Sequence, residues 1–172
     1  ETLATDEFNS GSGGKISLWP TPIGLAATFD PAVAEKFGEI ASREFRALGI
    51  ATNLAPQAEI ATDPRWRRFS GTFGEDPELA ADFTRAYIDG FQTSYGEDLI
   101  ENGWGYASVN CMVKHWPGGG SGEGGRDAHL CFGKYAVFPG DNMQTAMDVF
   151  EKGAFKLDGP TKSASAIMPY YT

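Results

Sequence analysis

Residues 30–56 read Asp30-Pro31-Ala32-Val33-Ala34-Glu35-Lys36-Phe37-Gly38-Glu39-Ile40-Ala41-Ser42-Arg43-Glu44-Phe45-Arg46-Ala47-Leu48-Gly49-Ile50-Ala51-Thr52-Asn53-Leu54-Ala55-Pro56, and this stretch decides the fold class. Val33, Phe37, Ile40, Glu44 or Phe45, and Leu48 recur at three-to-four spacing, which lines one face of a helix over residues 31–48. Asp30 is suited to cap that helix, Pro31 to open its first turn and Gly49 to end it. Residues 50–55 are short and apolar and stop at Pro56, the signature of a buried strand. The alternation then repeats. A helix is predicted from about Pro77 to Gln92, with Asp76 as cap and Leu79, Phe83, Tyr87 and Phe91 on one side. A strand follows over 107–113, a helix is marked by Met143, Met147 and Phe150, and a strand over 163–168 stops at Pro169. Strands that alternate with helices pair in parallel through crossovers, so the predicted class is α/β.

Composition bounds what such a chain does. Its 172 residues suit one domain, and 41% hydrophobic with 22% charged residues lies within the globular range, which excludes disordered and collagen-like chains. No apolar run approaches the roughly 18 residues of a membrane span. Fourteen basic residues against 23 acidic ones leave a formal charge of -9, which repels phosphate backbones and anionic lipid and argues against a nucleic-acid partner. Aromatic residues at 13%, with 22 Gly and 10 Pro, suit loops that offer flat faces to an amphipathic ligand such as a sugar. Cys111 and Cys131 are too few for a disulfide scaffold, and one bridge or two free thiols both fit. The chain opens on Glu1-Thr2-Leu3-Ala4, with neither an initiator Met nor a signal-peptide pattern, so it is expected to start inside a longer protein.

In parallel α/β folds, ligands meet the loops at the carboxyl ends of strands. Residues 56–76, 114–127 and 168–172 hold that position, and each is rich in Trp, Arg, Lys, His or Tyr. Other motifs there do not carry the chemistry they suggest. Gly120, Gly122 and Gly125 fit the spacing of a dinucleotide fingerprint, but no apolar helical period starts at them. Gly133-Lys134 lacks the upstream Gly and the following Ser or Thr of a phosphate loop. Cys111, His115, His129 and Cys131 could in principle bind zinc, yet their spacing is unlike a zinc knuckle and no metal is expected.

Four blocks carry a resemblance: 18–31 (Leu18-Trp19-Pro20-Thr21-Pro22 to Asp30-Pro31), Leu54-Ala55-Pro56 with Asp63-Pro64-Arg65-Trp66-Arg67-Arg68-Phe69, Thr72-Phe73-Gly74-Glu75-Asp76-Pro77, and Lys114-His115-Trp116-Pro117-Gly118. In order and spacing they closely resemble glycoside hydrolase family 3, the β-glucosidases and related exo-acting glycosidases. The resemblance implies that residues 1–172 form part of one N-terminal (β/α)8 TIM-barrel-like catalytic domain. Because a complete barrel takes about 250 residues, later strands are expected outside these residues, and the resemblance implies a C-terminal domain there as well. It further implies a retaining hydrolase of non-reducing terminal β-linked sugars, acting without cofactor or metal in the periplasm or medium. An oligosaccharide or β-glucoside would be the substrate and the rest of the same polypeptide the partner. Glucose is the favoured sugar, xylose and N-acetylhexosamine are the alternatives, and a non-catalytic carbohydrate-binding module is the reading from another class.

By the same resemblance Arg68, Lys114 and His115 hydrogen-bond sugar hydroxyls, with Trp116 beside them. A salt bridge that pins the loop is the alternative for Arg68, and Arg65 fits that alternative better. Trp66 and Trp116 would either stack on the sugar or plug the core. Asp127-Ala128-His129 is similar to the Asp-Ser-His of the family's N-acetylglucosaminidases, which makes His129 a candidate proton shuttle; a loop-stabilising His is the alternative. The sequence also departs from the family. Arg67 stands where Gly is usual, Ser70 and Gly71 replace acidic residues, and Asp6 is not in a matching motif for the family's first sugar-binding Asp. Retaining hydrolysis needs two carboxyl groups about 5–5.5 Å apart. The resemblance implies a nucleophile Asp at the end of the strand after the one that stops near Met168 and an acid Glu from a later domain. No acidic residue follows Asp158, and Glu59, Asp63, Glu75 and Asp76 are read as loop and helix-cap acids, so nucleophile and acid/base are expected outside the chain.

Overall fold

A computed structural model describes residues 3–5 and 16–172, so Glu1, Thr2 and Asp6 lie outside the described residues. In chain order the elements are β1 (Leu3–Thr5), α1 (Pro22–Ala26), α2 (Pro31–Ala47), β2 (Ile50–Asn53), α3 (Pro77–Gln92), β3 (Leu99–Glu101), β4 (Trp104–Gly105), β5 (Asn110–Trp116), α4 (Met143–Val149) and β6 (Ala166–Pro169). Strands β1, β2, β5 and β6 form one sheet in that order, and every pairing in it is parallel. The α/β reading therefore stands, and the long connections between parallel neighbours are the helices.

Both long helices end where their sequences say. The Asp30 carboxylate accepts from the Ala32 N–H, the Asp76 carboxylate accepts from Leu79 N–H, and a proline occupies each first turn. Gly49 follows α2 with φ 78°, the left-handed conformation that stops a helix. Phe37 and Phe45 on α2 meet Tyr87 and Phe91 on α3 as one aromatic layer under the sheet, with Tyr87 and Phe91 stacked 4.8 Å apart. The helices approach so closely at Gly90 that a Cβ there would lie 2.2 Å from the Glu35 carbonyl oxygen. Only glycine fits that crossing.

The strand boundaries differ from expectation in an informative way. The strand expected at 107–113 is β5, three residues later, because Gly105–Ser108 form a turn in which Ser108 N–H donates to the Gly105 carbonyl, and Val109 N–H donates to the Phe91 carbonyl at the end of α3. At its other end, Lys114-His115-Trp116 stay in the ladder opposite Met168 and Pro169 although their side chains are polar or aromatic. The expected strand at 50–55 ends at Asn53, and that at 163–168 begins at Ala166. Beyond Val149, α4 runs into one wider turn over Phe150–Ala154. The antiparallel pair β3–β4 and the short α1 carry too little periodicity to be read from sequence.

Candidate functional site

The carboxyl ends of β2, β5 and β6 bring the three polar segments together. After β2 the chain stays beside β5: Lys114 N–H donates to the Pro56 carbonyl, Ala58 N–H donates to the Lys114 carbonyl, and Gln57 bridges in parallel to Lys114. After β6, Tyr170 N–H donates to the Trp116 carbonyl. The peptide bonds Ala55–Pro56, Lys114–His115 and Trp116–Pro117 at this end are cis. A cavity of about 280 Å³ opens there; Gln57, Arg68, Ser70, Gly71 and Lys114 line its polar side, and Leu54, Ala55, Pro56 and Tyr87 are among its apolar walls.

Arg68 and Lys114 thus share one cavity, while His115 stands behind Arg68. Arg68 Nη2 donates to Gln57 Oε1 at 2.8 Å, and Gln57 Nε2 donates back to the Arg68 carbonyl at 3.2 Å. The other guanidinium nitrogen, Nη1, lies 3.4 Å from His115 Nε2. No salt bridge pins Arg68 among the described residues. That role falls to Arg65, whose pair with Asp63 spans 2.7 Å and holds the Asp63 carboxyl down at about 2, chiefly through the side-chain hydrogen bond. Arg67, in place of the family's usual Gly, points to solvent, and Ser70 and Gly71 simply line the cavity.

His115 is 3% exposed and rests on a buried acid that the sequence reading treated as a loop carboxylate. Glu59 is fully buried; its Oε2 accepts from the His115 backbone N–H at 2.7 Å, and its Oε1 lies 2.5 Å from His115 Nδ1. A second pair sits nearby. Asp127 accepts from the His129 backbone N–H at 2.9 Å and lies 2.5 Å from His129 Nδ1, and it also accepts from the Trp66 indole N–H at 3.2 Å. Burial alone would raise the Asp127 carboxyl, but these hydrogen bonds outweigh it and hold the group below the ordinary range. Tyr170 lies between the pairs, with its ring 5.4 Å from His115 and 6.3 Å from His129, and its hydroxyl accepts from the Ala128 N–H at 3.0 Å.

The two tryptophans resolve differently. Trp66 is wholly buried and bonded to Asp127, so it plugs the core and is no stacking wall. Trp116 is half-buried, packed 5.3 Å edge-on to Phe150 and 5.8 Å from Phe155. The glycines of the apparent dinucleotide fingerprint also have a packing cause: a Cβ on Gly120 would lie 2.2 Å from the Ile60 carbonyl oxygen. Cys111 is buried, which pushes its thiol well up, and Cys131 is exposed. Among the described residues, no three His, Cys, Asp or Glu side chains are grouped to hold a metal ion. Nor is any helix long and apolar enough to cross a membrane. Gln57 and Glu59 are the site residues the sequence reading missed; the only signal was two polar residues among the apolar Ala55, Pro56, Ala58 and Ile60.

Comparison with known proteins agrees with this architecture. Residues 3–151 match the glycosyl hydrolase family 3 N-terminal domain. A periplasmic β-glucosidase/β-xylosidase of Dickeya chrysanthemi is 44% identical over 163 residues, covering 95% of this chain and 23% of that protein. A probable β-glucosidase C of Aspergillus oryzae is 41% identical over 99% of this chain and 26% of its own length. The chain therefore spans about a quarter of the curated relatives it matches. Among solved structures, a β-glucosidase mutant from Listeria innocua in complex with laminaribiose superposes with a TM-score of 0.70 at 22% identity, covering 99% of this chain and 21% of that one. The exo-1,3/1,4-β-glucanase of Pseudoalteromonas gives 0.72 at 22% identity, over 90% of this chain and 18% of that one. These likenesses fix the four parallel strands and their helices as part of a (β/α) barrel, and the chain belongs to glycosyl hydrolase family 3.

Proposed function

We propose that this chain is the sugar-holding part of the catalytic barrel of an exo-acting retaining β-glycosidase, β-glucosidase-like in substrate. The observation that carries the reading is the cavity of about 280 Å³ at the carboxyl end of a parallel sheet, with Arg68 and Lys114 together on its wall. Its size is near the lower end of small-ligand sites, roughly 300 Å³, and matches one terminal sugar unit. Fixed charged donors beside vicinal hydroxyls contribute roughly 1.5–3 kcal/mol each. Lys114 and Arg68 supply those donors and His115 backs Arg68 in the family's Lys-His pair, while Trp116, packed on Phe150 and Phe155, is not among the residues lining the cavity. His129 is the candidate proton shuttle, with Nδ1 turned to Asp127 and the ring partly exposed.

Among the described residues no carboxylate lines the cavity, and Glu59 and Asp127 are engaged beneath the histidines. The nucleophile and acid/base belong to other parts of a longer polypeptide in this reading, whose later barrel strands and second domain would complete the site. A β-xylosidase is the second reading, supported by the double name of the Dickeya relative. The periplasmic name of that relative supports a periplasmic or secreted enzyme. The test is calorimetric titration of the chain with D-glucose, D-xylose and N-acetylglucosamine, beside a nitrophenyl β-glucoside assay. Glucose binding that weakens by about 10- to 100-fold in Arg68→Ala, with no turnover by the chain alone, is the expected result. Enzyme-like nitrophenol release would overturn the assignment of the nucleophile elsewhere, and equal binding by Arg68→Ala would overturn the site.

A further inference from the structure

The hydrogen-bond polarity around His115 assigns a role to a residue that otherwise reads as a buried structural acid. An arginine carries only donors, so Arg68 Nη1, 3.4 Å from His115 Nε2, needs a lone pair on that nitrogen. The ring proton then sits on Nδ1, where Glu59 Oε1 lies 2.5 Å away to accept it. Glu59 is held in register by its second oxygen, which takes the His115 backbone N–H at 2.7 Å. At the other side of the guanidinium, Gln57 Oε1 takes Nη2 at 2.8 Å. The result is a connected row, Glu59 to His115 to Arg68 to Gln57, and its only members on the cavity wall are Arg68 and Gln57.

We propose that Glu59 is a positioning residue of the sugar site: it fixes His115 as the Nδ1–H tautomer, whose Nε2 accepts from Arg68 and so orients the guanidinium toward the cavity. Outer-shell carboxylates set histidine tautomers in this way wherever the second ring nitrogen has work to do. Long contacts such as the 3.4 Å pair are expected to tighten when ligand fills the site. The inference rests on the reading of the cavity as a sugar site, and its test separates the two.

Glu59→Gln is the discriminating variant. The glutamine keeps the volume and can still accept the His115 backbone N–H with its amide oxygen. Its NH₂ then faces Nδ1 as a donor, which moves the ring proton to Nε2 and sets two donors against each other at Arg68. The readout is the pair of imidazole nitrogen shifts in the full chain labelled with 15N-histidine; the chain has two histidines, and His129→Ala identifies the His115 signals. The expected result is an Nδ1–H pattern in the parent and an Nε2–H pattern in Glu59→Gln, with D-glucose affinity lower by about tenfold and a thermal midpoint that moves little. An Nε2–H or doubly protonated His115 in the parent overturns the proposal, as does an unchanged tautomer in Glu59→Gln. Arg68→Ala provides the separate control. Where Arg68→Ala weakens glucose binding and Glu59→Gln does not, the positioning role is wrong and the sugar site stands; where neither weakens it, the sugar site itself is wrong and the role of Glu59 toward a sugar goes with it.

Discussion

The two histidines of this chain have the same first neighbour and opposite surroundings. Each has a carboxylate oxygen 2.5 Å from Nδ1 and donates its backbone N–H to the same carboxylate. Yet the His115 side chain is 4% exposed over a Glu59 side chain that is wholly buried, while the His129 side chain is 38% exposed over Asp127. The local motif is therefore the same in both, and burial is what separates them. A carboxylate–imidazole pair sealed from water can hold a geometry, whereas one with its ring at the surface can exchange a proton with whatever docks there.

Truncations break this comparison most strongly. Glu59→Ala leaves the His115 Nδ1–H and backbone N–H without an acceptor in a buried site and is expected to lower stability by about 3 kcal/mol or more, at roughly 1–3 kcal/mol for each orphaned donor. Asp127→Ala removes the partner of Trp66 and His129, but His129 can turn to water, so a loss of about 2 kcal/mol is expected. Urea denaturation of both variants checks the order, and equal losses would erase the distinction between the sealed and open pairs. A smaller effect sharpens it through pH. Because the folded state holds the Asp127 carboxyl below its unfolded value, its contribution is present above about pH 4 and is lost as pH falls through the folded value. Asp127→Asn should accordingly lower stability at pH 7, by about 1 kcal/mol, and cost progressively less toward pH 3.

The helical layer should give the opposite sign. Asp89 on α3 accepts the Gly159 N–H with both oxygens, and burial pushes its carboxyl up despite those bonds. A raised folded value favours the protonated acid, so the stability it supplies at low pH is lost as pH rises through the unfolded and then the folded value. Asp89→Asn, which keeps an acceptor for Gly159, should be neutral near pH 3 and more stable than the parent at pH 7 by about 1 kcal/mol or less. Thermal unfolding across pH 3–7 measures both limbs, and parallel pH curves for Asp127→Asn and Asp89→Asn would refute the contrast.

The helices were legible in the sequence because a single force placed their residues. Phe37, Phe45, Tyr87 and Phe91 recur at the helical period since each must face the same apolar layer, and Asp30 and Asp76 cap because the backbone there needs acceptors. The site was half legible. Arg68, Lys114 and His115 stand out as charged or polar groups in a recognisable order, and the structure brings them to one strand end. Glu59 did not stand out because its partner His115 lies 56 residues along the chain, and Gln57 because an uncharged amide gives no pattern until the loop returns Arg68, 11 residues on, beside it. Burial of a charge is invisible until the fold supplies its counterpart. The far end of β5 ran past its expected limit for a related reason, since its last residues pair as a strand while their side chains break the apolar pattern.

Strand β6 has a further consequence as the last member of the sheet order. It pairs with β5 on one side, and among the described residues no strand takes its other edge. Its backbone N–H and C=O groups there form an open template, Ile167 is exposed along it, and only Pro169, which has no N–H, shortens the row. In the reading of the chain as part of a longer barrel, this edge is where the next parallel strand would pair, so the same four residues that lie beside the chemistry without taking part in it would also join it to the rest of the sheet.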